Sequence, residues 1–503
     1  MVAKIMTVAP VGFNGSIVEV ECDSSNGLPS LTIVGLGNKA IDEARERVRS
    51  AITNSLLDFP KKKLTINLAP AELPKDGTHY DLPISLSILC VSGQLRQDEL
   101  GDSVFAGELA LDGKLRPISG AISIAETAKN NGYKKIFIPK QNAAQASLVS
   151  GIDILPVESL KDIFLHLKGE RTLTPYIHTT ENITDPLLHT PPYIDDVVGQ
   201  EQAKRAVIVA AAGHHNILIS GPPGAGKTML AKAMLNILPD LNSDEKLVIT
   251  KLHSLSGETT KEIATKRPFR SPHHTSSVVS LVGGGKKPKP GEISLSHLGV
   301  LFLDEIPEYP RSVLESLRQP LEDKIISVSR SEGKVIYPAD FMLVATMNPC
   351  PCGYLGDTRK ECTCSSNQIL NYKKKLSGPL LDRIDIVIEA SRVPNIDILN
   401  KKDNTFLQHT LAKNSIVDVY KIQTNRYGSS MKYNNNMTNR DIKKFAVLTE
   451  DSKRLLDQAA DKLALSARSY IKIIKVARTI ADLDNSKNIN INHISEALQY
   501  RTK

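Results

Sequence analysis

Apolar and polar positions alternate in different ways along the 503-residue chain, and each way predicts a different kind of element. Ser16–Cys22 alternates residue by residue, as a half-buried strand does, whereas Ala40–Leu56 carries apolar residues at helical spacing with Arg45, Arg47 and Arg49 on it. Up to about residue 168 short strands and helices of this kind are mixed. Between about 169 and 190 the periodicity stops and prolines accumulate, which reads as a linker. Further on, Ile217–Ile219, Val300–Leu303 and Phe341–Val344 are unbroken apolar runs, the pattern of strands buried on both faces. After about 395 the pattern turns helical, with Leu448–Leu465, Ala467–Leu483 and a short last helix His493–Tyr500. The polar, asparagine-rich stretch 425–440 reads as a loop.

The run Ile217–Ile219 ends in Gly221-Pro222-Pro223-Gly224-Ala225-Gly226-Lys227-Thr228, which fits G-x-x-x-x-G-K-[ST] at every fixed position. Met229, Leu230, Ala233, Met234, Ile237 and Leu238 then recur at helical spacing up to Pro239. Strand, glycine loop and helix are the context of a phosphate site. Backbone N–H groups curl round the β-phosphate and the helix N-terminus adds partial positive charge. Lys227 would pair with the β- and γ-phosphates and Thr228 would ligate Mg²⁺. The chain is therefore expected to bind a nucleoside triphosphate, ATP with Mg²⁺.

About 75 residues on, the apolar strand before Asp304-Glu305 supplies the complementary acids. Asp304 would hold the magnesium and its water shell, and Glu305 would polarise the attacking water. Asn348 closes the next strand with an amide suited to orient that water. Arg383, in Gly378-Pro-Leu-Leu-Asp-Arg-Ile-Asp385, sits at a helix end from which an arginine finger could reach a neighbour's nucleotide, the alternative being an ion pair with Asp382 or Asp385.

Composition narrows the setting. Hydrophobic residues make up 41% and charged residues 23%, ordinary for a water-soluble protein, and no apolar run of membrane-spanning length occurs. Met1-Val-Ala-Lys-Ile-Met lacks the apolar core of a signal peptide, so the cytoplasm is the expected location. A net charge of +8 permits a nucleic-acid partner and equally serves solubility. Four of the six cysteines cluster as Cys350-Pro-Cys352 and Cys362-Thr-Cys364. In a reducing compartment such a cluster is a candidate structural Zn²⁺ site, with free thiols as the alternative. Cys22 and Cys90 lie in apolar runs and read as core residues.

Two resemblances follow from longer motifs. Pro74-Lys-Asp-Gly77, Gly107–Ile118 and Lys135-Ile-Phe-Ile-Pro-Lys140 resemble the proteolytic domain of Lon-type proteases. That resemblance places His79 where the nucleophilic serine would stand and Ile122 at about the activating lysine. Ser–Lys catalysis needs both members, so the domain is expected to be inactive. Phe269-Arg-Ser-Pro-His-His-Thr-Ser276, Leu281-Val-Gly-Gly-Gly285 and Pro290–His297 closely resemble magnesium-chelatase-like AAA+ ATPases. With Leu465-Ser-Ala-Arg-Ser-Tyr470 and Val476–Leu483 the match narrows to the ComM/YifB family and covers essentially the whole chain.

The resemblance implies an α/β protein: an inactive Lon-protease-like α+β domain over 1–168, a linker over 169–190, a P-loop AAA+ core over 191–394 and a helical lid over 395–503. It implies a homo-oligomeric ring, expected to be a hexamer, and a DNA motor promoting branch migration. The alternative is a magnesium-chelatase-type or protein-remodelling ATPase without DNA activity. Arg468, at the start of the long lid helix, could touch a γ-phosphate, with Arg478 as runner-up and packing roles for both left open. Two basic insertions are the candidate grip on single-stranded or branched DNA: Lys286, Lys287 and Lys289 on a glycine–proline loop, and Arg330 and Lys334 beside a hairpin turn within Lys324–Pro338. Solvated surface turns are the competing reading of both.

Overall fold

The structure is a computed structural model that describes residues 2–35, 39–73, 75, 77–177, 192–258, 262–285, 288–330, 333–357, 360–392 and 406–501. Most of the expected linker therefore lies outside the described residues, as do Lys286, Lys287 and the side chain of Arg330.

The first part is built on a seven-stranded mixed sheet in the order Ser30–Val34, Lys63–Ala69, Asn14–Ser25, Ala3–Val11, Ser103–Phe105, Lys135–Pro139, Asp153–Val157. Ala3–Val11 and Asn14–Ser25 form an antiparallel hairpin, and the last three strands run parallel. Alternation decides which face is covered: Leu64, Ile66 and Leu68 are wholly buried while Lys63 and Thr65 are exposed. The helix Asp81–Val91, buried through Cys90, fills the space beneath. Cys22 and Cys90 are both in this core, as their apolar surroundings suggested.

The second sheet is five-stranded and wholly parallel: Phe269–Arg270, Val300–Leu303, Met342–Met347, Ile217–Ser220, Ile386–Glu389. Every residue of Val300–Leu303 and Met342–Met347 is buried, which is why these strands read as continuous apolar runs. Ile217–Ser220 lies between Met342–Met347 and Ile386–Glu389. Its loop thus opens where the connections depart to opposite sides, the place where such sheets bind ligands.

The helices Leu407–Tyr427, Glu450–Lys462, Ala467–Leu483 and Ile491–Gln499 form the last part. Leu407–Tyr427 and Ala467–Leu483 pack on Glu201–Gly213, and polar contacts pin the part: Gln423 Nε2 donates to the Ala212 carbonyl (2.8 Å), and Arg205 pairs with Glu496 (2.9 Å). The asparagine-rich stretch is not the simple loop expected from its polarity. The helix Leu407–Tyr427 runs into it, a short turn Asn434–Asn436 follows, and Asn439–Phe445 is helical. Asn434 is wholly buried and donates to Asp482 (2.8 Å) and Thr479 (3.1 Å). Tyr433 stacks on His214 with ring centroids 4.4 Å apart and donates to Glu245 at 3.0 Å. Burial pushes the His214 imidazole down to about 3, so it stacks as a neutral ring. Asparagines that look like loop composition here tie the last helices together and, through Asn435 to the His214 carbonyl (2.9 Å) and Asn436 to Asp340 (2.8 Å), join them to the part that carries the parallel sheet.

Candidate functional site

The P-loop is shaped by its glycines and by the strand it leaves. Gly226 has φ +80° and caps the helix Lys227–Ile237, a left-handed position that suits glycine. Lys227 Nζ donates to the carbonyls of Gly221 (2.6 Å) and Pro222 (3.1 Å) and to Asn348 Oδ1 (3.0 Å). Burial holds its ammonium below the usual lysine range, against the opposing pull of Asp304 and Glu305. Gln200 Nε2 reaches the Ala225 carbonyl at 3.3 Å, so the turn before Glu201–Gly213 also braces the loop.

Parallel pairing brings the acids to the same edge. Leu303 pairs with Ala345 and Ser220 with Met347, so Asp304, Glu305 and Asn348 all emerge beside Gly221. Thr228 Oγ1 and Asp304 Oδ2 lie 3.5 Å apart. Neighbouring oxygens of a Mg²⁺ octahedron with bonds of about 2.1 Å are about 3 Å apart, so a small adjustment fits these two to one ion. Asn348 Nδ2 donates to Glu305 Oε1 at 3.1 Å, leaving the other oxygen of that exposed carboxylate for a water.

Thr346 was not singled out in the sequence. Its hydroxyl donates to Asp304 Oδ1 (2.5 Å) and accepts from the Glu305 backbone N–H (3.0 Å), so one side chain fixes both acids. It lies one strand away from them, and only its place at the end of an apolar run hints at it.

Arg383 is at the other end of the same strand. Asn216, which precedes Ile217–Ser220, donates through Nδ2 to the Arg383 carbonyl (2.9 Å), and its N–H donates to Asp385 (3.0 Å). Four strand residues separate this end from the P-loop, about 13 Å at 3.3 Å each. Arg383 donates to the carbonyls of Arg318 (3.1 Å) and Pro379 (2.6 Å) and pairs with Glu322, in place of the Asp382 or Asp385 partner suggested by sequence. Arg468 also meets Glu322, at 3.4 Å. The two arginines therefore converge on one carboxylate, in a crevice of about 500 Å³ that also holds Lys324, Lys472 and Lys475. Arg468 faces this crevice, away from its own P-loop. Arg478 is buried, pairs with Asp482 (2.9 Å) and donates to the carbonyls of Ser486 and Lys487. These contacts are a packing role, so the structure removes it as a γ-phosphate contact.

The insertion Ile325–Arg330/Gly333–Pro338 is an antiparallel hairpin with Ile325 opposite Pro338, and Lys334 is exposed beside its turn. Gly283–Gly284 pairs with Lys289–Pro290, which makes the glycine–proline loop a second, smaller hairpin. Tyr337 donates to the Pro288 carbonyl at 2.7 Å, joining the two insertions. They also rest on the first sheet's unit across a crevice of about 520 Å³, lined by Lys289 and Lys334 on one side and by Thr78, His79 and Glu108 on the other. His79 and Ile122, the residues that the Lon resemblance sets at the nucleophile and activating-lysine positions, are both buried.

The four cysteine sulfurs gather within 4.8 Å of one another. The structure thus brings together Lys227, Thr228, Asp304, Glu305 and Asn348 at one end of the sheet, Arg383 and Arg468 at the other, and Lys289 and Lys334 along one crevice.

Residues 193–398 match the family described as magnesium chelatase, subunit ChlI. Residues 20–142 match subunit ChlI of Mg-chelatase, and 410–501 match its C-terminal part. The chain is 42% identical over 498 residues to the uncharacterized protein YifB of Escherichia coli, covering 99% of this chain and 96% of that protein. It is 41% identical over 504 residues to the competence protein ComM of Haemophilus influenzae, covering 99% and 97% respectively. An archaeal Lon protease from Methanocaldococcus jannaschii is 29% identical over 119 residues, covering 21% of this chain and 18% of that protein.

Proposed function

The chain belongs to the YifB/ComM family of magnesium-chelatase-like AAA+ ATPases, and from that premise we propose that it is an ATP-driven motor that moves on DNA. In this reading residues 191–394 are the motor core, 395–503 its lid and 1–168 a Lon-like domain without proteolytic chemistry. The P-loop from Gly221 to Thr228 holds ATP and Lys227 pairs with its terminal phosphates. Thr228 and Asp304 share Mg²⁺, and Glu305 draws a proton from the water that Asn348 orients. Arg383 and Arg468 serve a neighbouring subunit's nucleotide, because the sheet separates them from their own. A ring, hexameric in the simplest form, follows from that division of labour. A structural Zn²⁺ on Cys350, Cys352, Cys362 and Cys364 completes the cofactors, and the cytoplasm is the setting.

The observation that carries the DNA reading is the joining of the two basic insertions through Tyr337 and Pro288. Lys289 and Lys334 then belong to one cationic element fixed to the core, and Lys286, Lys287 and Arg330 are further cations of the same two insertions in the sequence. Lysines and arginines so arranged would hold phosphates without reading bases. The printed name of the Haemophilus relative, a competence protein, supports a role in handling incoming DNA, and branch migration during recombination is the activity proposed.

Strand displacement on a forked substrate tests this. The double variant Arg330→Ala/Lys334→Ala should lose displacement and bind DNA with a flatter salt dependence, each lost phosphate contact removing about 0.7–0.9 from the log–log slope. Its DNA-free ATP hydrolysis should persist. Displacement at the wild-type rate by that variant would refute the hairpin as the grip on DNA and leave it an ordinary surface turn, whereas wild-type protein that displaces no strand would favour a protein-remodelling motor.

A further inference from the structure

The segment from Pro349 to Cys364 has no helix or strand among its described residues, yet it lies against the nucleotide site. The Cys350 sulfur is 3.4 Å from that of Cys352 and 3.6 Å from that of Cys362, and Cys352 and Cys362 are 3.6 Å apart. A tetrahedral ion with Zn–S bonds of about 2.3 Å sets its sulfurs about 3.8 Å apart, so a slight expansion of this cluster admits one. The backbone N–H of Cys352 points at the Cys364 sulfur (3.4 Å), the kind of contact that supports a metal-bound thiolate. Four sulfurs would close the coordination shell, which makes the site structural.

The placement of the cluster gives it a second consequence. Cys350 is two residues after Asn348, the side chain that touches both Lys227 and Glu305. Gly353, one residue after Cys352, has φ +84°. A Cβ there would stand 2.8 Å from Pro223 Cδ of the P-loop and 3.9 Å from Asn348 Cγ. The loop backbone thus packs closely against Pro223 of the P-loop, with Asn348 beside it. Besides the sulfurs, anchors of this stretch include the Gly353 N–H to the Cys350 carbonyl (3.0 Å), a turn from Asp357 to Tyr354 (3.0 Å), Lys360 over the Tyr354 ring (4.3 Å) and the Arg392–Asp357 pair (3.3 Å).

We propose that the cysteine loop is a metal knot that buttresses Asn348 and the P-loop, so that a bound thiophilic divalent ion and a bound nucleotide stabilise each other. The inference rests on reading the cluster as a metal site and adds a purpose to it. In a loop without helix or strand among its described residues, metal-binding free energy adds to the free energy that orders the loop. The four thiols release their protons to solvent as the ion binds. By linkage, whatever factor the metal adds to nucleotide affinity, the nucleotide adds to metal affinity.

Full-length protein stripped with a chelator and reloaded with Zn²⁺, or with Co²⁺ as a spectroscopic stand-in, tests both parts. The reloaded protein should carry about one ion per chain with the visible spectrum of tetrahedral thiolate cobalt. It should bind a fluorescent ATP analogue about tenfold more tightly than the stripped protein, and the analogue should raise Zn²⁺ affinity in chelator competition by the same factor. Gly353→Ala keeps all four thiols and should retain the ion while binding the analogue more weakly, which separates the contact from loss of folding. Failure of the reloaded protein to hold an ion would overturn the metal site and leave the motor untouched. A bound ion with equal nucleotide affinity in the loaded, stripped and Gly353→Ala proteins would overturn the buttress alone.

Discussion

Glu305 adopts φ +50° and ψ +54°, a left-handed conformation that costs a non-glycine residue about 1–3 kcal/mol and that the surroundings must enforce. Thr346 and Asn348 do so by holding its N–H and its carboxylate. Glu305→Gln should therefore keep the geometry and bind ATP, yet lower turnover by about 10²–10⁴-fold through loss of the base. Single-turnover hydrolysis beside equilibrium binding checks it, and Lys227→Ala should fail already at binding. Thr346→Val removes the hydroxyl that aligns Asp304. It should raise the Mg²⁺ concentration needed for half-maximal hydrolysis, read from a magnesium titration. At this scale the P-loop was fully legible, because its chemistry sits on eight consecutive residues. Thr346 and Glu322 were not, since their partners are on other strands and helices. The ion-pair partner of Arg383 was misplaced for the same reason: neighbours in sequence were weighed, and Glu322 is 61 residues away.

Among the elements, those defined by periodicity were read closely. The helices Ala467–Leu483 and Lys39–Asn54 and the paired strands Ile325–Arg330 and Gly333–Pro338 lie where the apolar pattern put them, to within about two residues. The asparagine-rich stretch misled because composition shows polarity and not the partners that satisfy it. Asn434→Ala would strip the Asp482 and Thr479 contacts from a buried site. Hydrogen bonds to charged groups typically contribute about 1.5–3 kcal/mol, so the variant should unfold at a measurably lower temperature in calorimetry. The small hairpin formed by the glycine–proline loop, and its union with the larger one, could not be seen either. That union depends on one hydroxyl, Tyr337, meeting a carbonyl 49 residues away.

In the whole molecule, separation of functions along one short strand governs how the protein must work. The groups proposed to bind phosphate and activate water are at one end of Ile217–Ser220, and Arg383 and Arg468 are at the other. Mixing Arg383→Ala with Lys227→Ala protein should restore part of the lost ATP hydrolysis, because one interface then joins two intact partners. Two inactive variants that stay inactive at every ratio and concentration would rule out action of Arg383 on a neighbouring subunit's nucleotide. Glu322→Gln should lower turnover with little change in ATP affinity, the split expected of a group that only positions the two arginines. The central claim, that ATP hydrolysis here drives movement on DNA, is tested most directly by the rate of ATP turnover with and without a forked DNA at moderate salt. The account predicts a several-fold rise with DNA that fades as salt increases and is lost in Arg330→Ala/Lys334→Ala. A wild-type rate indifferent to single-stranded, duplex and forked DNA alike would contradict it.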